Sequence, residues 1–151
     1  MEDLHRVLEQ HRFLEMLTPA QTRFLVACAK NVRFHEGQLL LHEGERADVF
    51  YLLRAGHAVV EIDVPGRGAV RMESLGPSDM LGVEWLVSRR VHFDARAIDD
   101  VVALAFDGAC LRDKMDRDPA LGFALTRRML EETYKRLEHV RLARVDVYKE
   151  P

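Results

Sequence analysis

Long apolar runs are missing from this chain. No stretch approaches the roughly 18 uninterrupted apolar residues of a membrane-spanning helix, so no membrane partner is expected. Cysteine is scarce: Cys28 and Cys110 are the only two, and neither has a Cys or His beside it at metal-ligand spacing. Both read as reduced, buried thiols of a cytoplasmic protein. Excess charge is small, with 22 Lys and Arg against 25 Asp and Glu and a net charge of −3, which argues against a nucleic-acid surface spanning the molecule. The acidic start Met1-Glu2-Asp3 leads into an amphipathic stretch rather than a basic-then-apolar leader, so no secretory signal is expected. The glycine-rich phosphate loop, Ser-x-x-Lys and the nucleophile elbow are all absent. A non-enzymatic protein with no catalytic residue is expected.

What is present is apolar material in short pieces. With 48% hydrophobic residues in 151, the chain can bury the core of one domain, residues 1–151. Its centre is residues 37–62, where apolar runs at 39–41, 49–53 and 58–62 are split by Glu43-Gly44-Glu45 and Arg54-Ala55-Gly56. Runs of this length, punctuated by glycine and charge, predict strands joined by tight turns. Gly44 and Gly56 stand where the chain must reverse, and both are expected to adopt backbone angles that a side chain opposes. Further strands are predicted at 32–35, 38–42, 69–75, 91–98 and 101–106, with a hairpin loop at Pro65-Gly66-Arg67-Gly68.

Helices flank this region. Residues 3–16 place Leu4, Val7, Leu8 and Leu14 near a helical period. Thr18-Pro19-Ala20-Gln21 has the make-up of a capping box with proline in the first turn, opening a helix to about residue 30. Asp107 is positioned to cap a short helix, and Asp118-Pro119 opens a long one running to about Tyr148. Along it Phe123, Thr126, Leu130, Thr133, Leu137, Val140 and Val147 recur at three- and four-residue steps, a heptad-like seam weakened by Arg144. The expected fold is mainly β with flanking helices: N-terminal helices (1–30), a double-stranded β-helix or jelly-roll-like β-roll (31–106), and C-terminal helices (107–148).

Two motifs carry a family resemblance. The first is Gly37, Leu39-Leu40-Leu41, Glu43-Gly44-Glu45, Ala47-Asp48, Phe50-Tyr51-Leu52-Leu53 and Gly56. The second is Leu75-Gly76-Pro77-Ser78-Asp79-Met80-Leu81-Gly82. Together, over residues 13–148, the chain resembles the cyclic nucleotide-binding domain of catabolite-activator-like regulators, kinase regulatory subunits and gated channels. The resemblance implies a stand-alone sensor that binds cAMP or cGMP in the roll, transmits the ligand state through its C-terminal helix to a protein partner, and pairs as a homodimer through that helix. The regulators' DNA-binding module would follow the last helix. The chain stops near that point, so DNA binding by it is not expected.

The resemblance also implies a phosphate-binding cassette after Gly82, in which amides at a short helix N-terminus, an arginine and a small hydroxyl residue meet the cyclic phosphate. Here the sequence departs from the pattern. Val83 follows Gly82, and the acid is displaced to Glu84, a turn of about 100° on a helix. Counting back from Ala97, the phosphate arginine's place falls on Val91, between Arg90 and His92-Phe93. The candidate ligand-binding residues are therefore Gly82, Val83, Glu84, Trp85, Arg90 and His92, with Tyr134 and Arg141 added by resemblance at the purine end. In extended chain Arg90 and His92 share one face and Val91 and Phe93 the other; which pair faces in is open.

Two other readings stand beside this one. Trp85, Leu86, Val87 and Phe93 can fill the pocket themselves, leaving a degenerate member of the fold that serves as a dimerising interaction module. A cupin-type metalloenzyme shares the roll, but it needs two histidines alternating on one strand plus a glutamate. Among the seven histidines no His-x-His occurs, and His42 and Glu43 would point to opposite faces. No metal ligand and no cofactor are expected.

Overall fold

A computed structural model describes residues 3–149, with side chains through Asp146. Helix α1 (Leu4–Gln10) is capped by Asp3, whose carboxylate accepts from the His5 amide. A 3₁₀ turn at Arg12–Leu14 follows, then α2 (Pro19–Leu25) with the expected capping box between Thr18 and Gln21, then a second 3₁₀ turn at Val26–Cys28. The strands are β1 (Ala29–Phe34), β2 (Leu39–Leu41), β3 (Val49–Ala55), β4 (Ala58–Val64), β5 (Gly68–Leu75), β6 (Met80–Leu81), β7 (Asp94–Ala97) and β8 (Val101–Asp107). Helix α3 (Glu84–Val87) separates β6 from β7, and α4 (Gly108–Arg117) and α5 (Pro119–Lys149) close the chain.

The strands form two antiparallel four-stranded sheets, ordered β1-β8-β3-β6 and β2-β7-β4-β5, which make the expected roll. β3 explains why its sequence reads as an unbroken apolar run. Its sheet is covered on both sides, so alternate residues enter different cores. Phe50 and Leu52 pack toward the helices with Leu104, Phe106, Leu111 and Leu121, whereas Tyr51 and Leu53 face the roll interior with Val60, Leu75 and Leu81. The interior is narrow and is lined by alanines at 58, 95, 97, 103 and 105.

Gly44 and Gly56 both have positive φ, as expected. At Gly56 a Cβ would also sit 2.0 Å from the Asp100 carbonyl oxygen, so the turn before β4 closes directly on the turn before β8. Asp107 and Asp118 cap α4 and α5 through the amides of Cys110 and Leu121. Leu121, Leu125 and Met129 form the buried face of α5, at four-residue steps.

The cysteines require a correction. Cys28 and Cys110 are not separate reduced thiols; they form a disulfide with Cα atoms 5.5 Å apart. Pairing of β1 with β8 is the cause. Ala29 lies opposite Phe106, so the residue just before β1 and the helix just after β8 meet at one corner of the roll. A separation of 82 residues hides this in the sequence.

Candidate functional site

The cassette region is entered through β6, which pairs with β3 at Leu81↔Tyr51 and Met80↔Leu52. Gly82 follows with φ +97°, and a Cβ there would lie 2.6 Å from the Val49 carbonyl oxygen. Only glycine lets the chain turn this tightly against β3 into α3. The Val83 residue at the helix start has no side-chain cap. Burial pushes the Glu84 carboxyl above the ordinary carboxylate range, Glu73 adds to the rise, and the Glu84 amide, Arg136 and His92 oppose it. Its Oε2 is buried without a hydrogen-bond partner.

Trp85 does not enter the roll. It is buried against Phe50 on the helix-facing side, with ring centroids 5.5 Å apart, and its Nε1 donates to the Gly108 carbonyl at 2.8 Å. Val87, offered as a pocket filler, is 81% exposed. The facing of residues 90–93 is settled by burial. Val91 enters the roll core and Phe93 packs half-buried against it, while Arg90 and His92 both face outward. Arg90 donates to the Gly44 carbonyl at 3.3 Å, across a bridge that pairs residue 90 with Arg46. His92 Nε2 meets the Ser88 hydroxyl at 3.3 Å. Gly82, Val83, Glu84 and Trp85 are therefore adjoining, while Arg90 and His92 face outward, bonded to the Gly44 carbonyl and the Ser88 hydroxyl.

Next to this segment, a crevice of about 510 Å³ runs between β5 and α5. That volume falls in the range of about 300–1,000 Å³ usual for small-molecule sites. Its cations are Arg71, Lys135 and Arg136, its acids Glu73, Asp79 and Glu132, His139 lies among them, and its apolar wall includes Met72 and Val140. Glu132 is committed to Arg128 and Lys135. Asp79 accepts from the Gly76 amide. Arg136 donates to the Met80 carbonyl, joining α5 to the strand that leads into the cassette. Arg112 of α4 likewise donates to the Trp85 carbonyl at 2.6 Å. Tyr134 is exposed, with its hydroxyl 3.4 Å from Glu138, and Arg141 is exposed beyond it.

Arg136 and His139 did not emerge from the sequence, although a signal existed. They continue the helical stripe of Leu125 and Met129 by three- and four-residue steps, so the face of α5 that begins buried and apolar becomes polar, with Arg136 half-buried and His139 exposed, as it passes β5. Among the described residues no cluster of three or more His, Cys, Asp or Glu is arranged to hold a metal, and no helix is long and apolar enough to cross a membrane.

Known proteins agree with this architecture. The chain is 25% identical to a candidate cyclic nucleotide-binding protein of Geobacter metallireducens GS-15, with a TM-score of 0.79 over 91% of this chain and 99% of that one. A cyclic nucleotide-binding domain from Methylobacillus flagellatus KT has a TM-score of 0.80 at 16% identity, covering 98% and 83% of the two chains. The catabolite activator protein of Thermus thermophilus has a TM-score of 0.71 at 18% identity, covering 90% and 62%. At these lower identities the likeness is one of fold. In sequence, a cGMP-dependent protein kinase of Eimeria tenella is 41% identical over 51 residues, which is 34% of this chain and 5% of the kinase. The family model for the cyclic nucleotide-binding domain matches residues 31–118. With that match extending from β1 through α4, over the roll and the cassette segment, the chain belongs to the cyclic nucleotide-binding domain family.

Proposed function

We propose that the protein is a non-enzymatic sensor of a cyclic nucleotide, cAMP or cGMP, seated where the crevice between β5 and α5 meets the cassette. The observation that carries this reading is the crevice itself. In a domain of this family, the long helix covers a cavity of ligand size beside the cassette and brings Arg136 and His139 to it. Cations at this wall suit a phosphate, and Met72 with Val140 offers an apolar surface to a base. Arg136 also grips the Met80 carbonyl, so a ligand that competes for its guanidinium would alter the hold of α5 on the cassette. Such a shift requires that the ligand bind one arrangement better than the other.

Output runs through α5. Phe123, Leu130, Leu137 and Val140 of the seam are exposed, with Tyr134, Leu142 and Val145 near them. Their spacing suits a twofold pair of α5 helices, the arrangement in which a tilt of the helix reaches a downstream protein. The side chain of Val147 lies outside the described residues.

A second reading has its own observation. Val91 is buried at the position where the family's pattern places the phosphate arginine, and Arg90 and His92 on either side of it face outward. Both favour a module that has lost the nucleotide and acts by pairing. Calorimetric titration with cAMP and cGMP separates the two. Micromolar binding that Arg136→Ala weakens at least about tenfold, with Arg90→Ala near wild type, supports the crevice seat. No heat from either nucleotide at millimolar concentration leaves the pairing module.

A further inference from the structure

The Cys28–Cys110 bond does more than close a loop around the roll. Cys28 ends the 3₁₀ turn before β1, and Cys110 lies in the first turn of α4. That same turn is built against the cassette helix. Gly108 donates its amide to the Asp48 carbonyl at 2.8 Å and accepts the Trp85 indole N–H at 2.8 Å. A Cβ on Gly108 would stand 2.4 Å from the Trp85 ring, so the contact leaves no slack. One turn further along, Arg112 holds the Trp85 carbonyl. The disulfide is thus two residues from one end of a short chain of contacts, and α3 is the other end.

We propose that this disulfide is a reducible redox site that sets how firmly α4 holds the α3 cassette helix. When the bond is closed, the first turn of α4 cannot leave the N-terminal turn without carrying it along, and local opening of α4 and α3 is suppressed. When it is open, that turn keeps the Asp48, Trp85 and Arg112 hydrogen bonds and the core packing of Leu111 but loses its covalent tie, and the α3–α4 unit opens more often while the sheets stay intact. Cys28 itself is buried, with a surface hollow of about 400 Å³, lined also by Lys30, Asp48 and Asp107, bordering it. Cys110 is only partly buried.

The reductant is a dithiol. One of its thiolates attacks a cystine sulfur, forming a mixed disulfide and expelling the other cysteine as a thiolate that takes up a proton. The second thiol of the reagent then displaces the remaining cysteine. Two protein thiols and one oxidised, cyclic reagent result, a two-electron exchange. The linkage does not depend on whether a nucleotide binds.

The test compares the oxidised protein, the protein reduced with dithiothreitol, and a Cys28→Ser/Cys110→Ser variant. Amide hydrogen exchange and the emission of Trp85, the single tryptophan of the chain, are read in each. Reduction is expected to release two thiols, to speed exchange in α3 and the first turn of α4 at least about tenfold through a local opening that low urea does not accelerate, and to move Trp85 emission to the red, while β4 and β5 exchange only through urea-dependent global unfolding. The serine variant should match the reduced protein and ignore dithiothreitol. Identical α3 exchange and Trp85 emission in all three would overturn the proposal. So would α3 exchange with the same urea dependence as β4 and β5 in the reduced protein, since the bond would then be a global staple with no selective hold on the cassette helix.

Discussion

Opening the Cys28–Cys110 bond should lower the global stability of the protein by an amount set mainly by the length of chain it encloses. The bond joins residues 82 apart in sequence. Cross-linking a loop of that length removes roughly 15 cal/mol/K of entropy from the unfolded ensemble, or about 4.5 kcal/mol at 25 °C. For 151 residues, an unfolding entropy of about 2.1 cal/mol/K per residue converts this to a fall in Tm of roughly 14 °C. The assay is urea unfolding followed by Trp85 fluorescence, in oxidised protein and under dithiothreitol, so that no side chain is replaced. Reduction should also steepen the denaturant dependence slightly, because the uncrosslinked unfolded chain is more expanded. Extrapolated stabilities that agree within about 1 kcal/mol would refute the reasoning, since they would mean that the reduced unfolded chain already keeps these ends together.

Gly82→Ala places a methyl group at φ +97° and 2.6 Å from the Val49 carbonyl oxygen, so it should cost about 2–4 kcal/mol in urea unfolding. A cost under about 0.5 kcal/mol would show that the turn into α3 can relax. Burial first, then Arg54 and Arg128, hold the His11 imidazole below its usual pKa of 6.5, against the pull of the Leu53 carbonyl, so it is neutral in the fold. The unfolded chain therefore takes up the proton first as pH falls. The stability contributed above pH 6.5 should decline from there through the lower folded pKa, by at most about 1.4 kcal/mol per pH unit. His11→Gln should flatten that part of a stability–pH profile, and parallel profiles would exclude His11 as the cause. On α5, Leu130→Glu with Leu137→Glu should convert a dimer to a monomer in sedimentation analysis without lowering Tm, because both side chains are exposed within one chain. A wild-type monomer would refute pairing.

The roll was legible in the sequence because its signals are local. Apolar runs of strand length, Gly44 and Gly56 at the reversals, and the caps at Thr18, Asp107 and Asp118 each act within a few residues, and the structure contains each of them. The long last helix was legible for the same reason, since its cap and its periodicity lie in one continuous stretch. The cassette was located by its glycine, but the facing of its arginines was not. One residue of register reverses every side chain in extended backbone, and only the packing of Val91 and Phe93 against the roll core chooses between the two registers.

What tertiary structure alone decided lies between distant segments. Trp85 reads equally well as a pocket filler or a core residue; its place beside Phe50 and the Gly108 carbonyl depends on α4 returning to the cassette. The ligand-sized crevice exists because α5 crosses β5, bringing Arg136 and His139 to residues some 60 positions earlier. The disulfide exists because antiparallel β1 and β8 bring the two flanks of the roll to one corner. Local backbone preference is written in neighbouring residues and survives without the fold. Proximity between remote residues is created only when the sheets close, so composition and spacing alone do not reveal it.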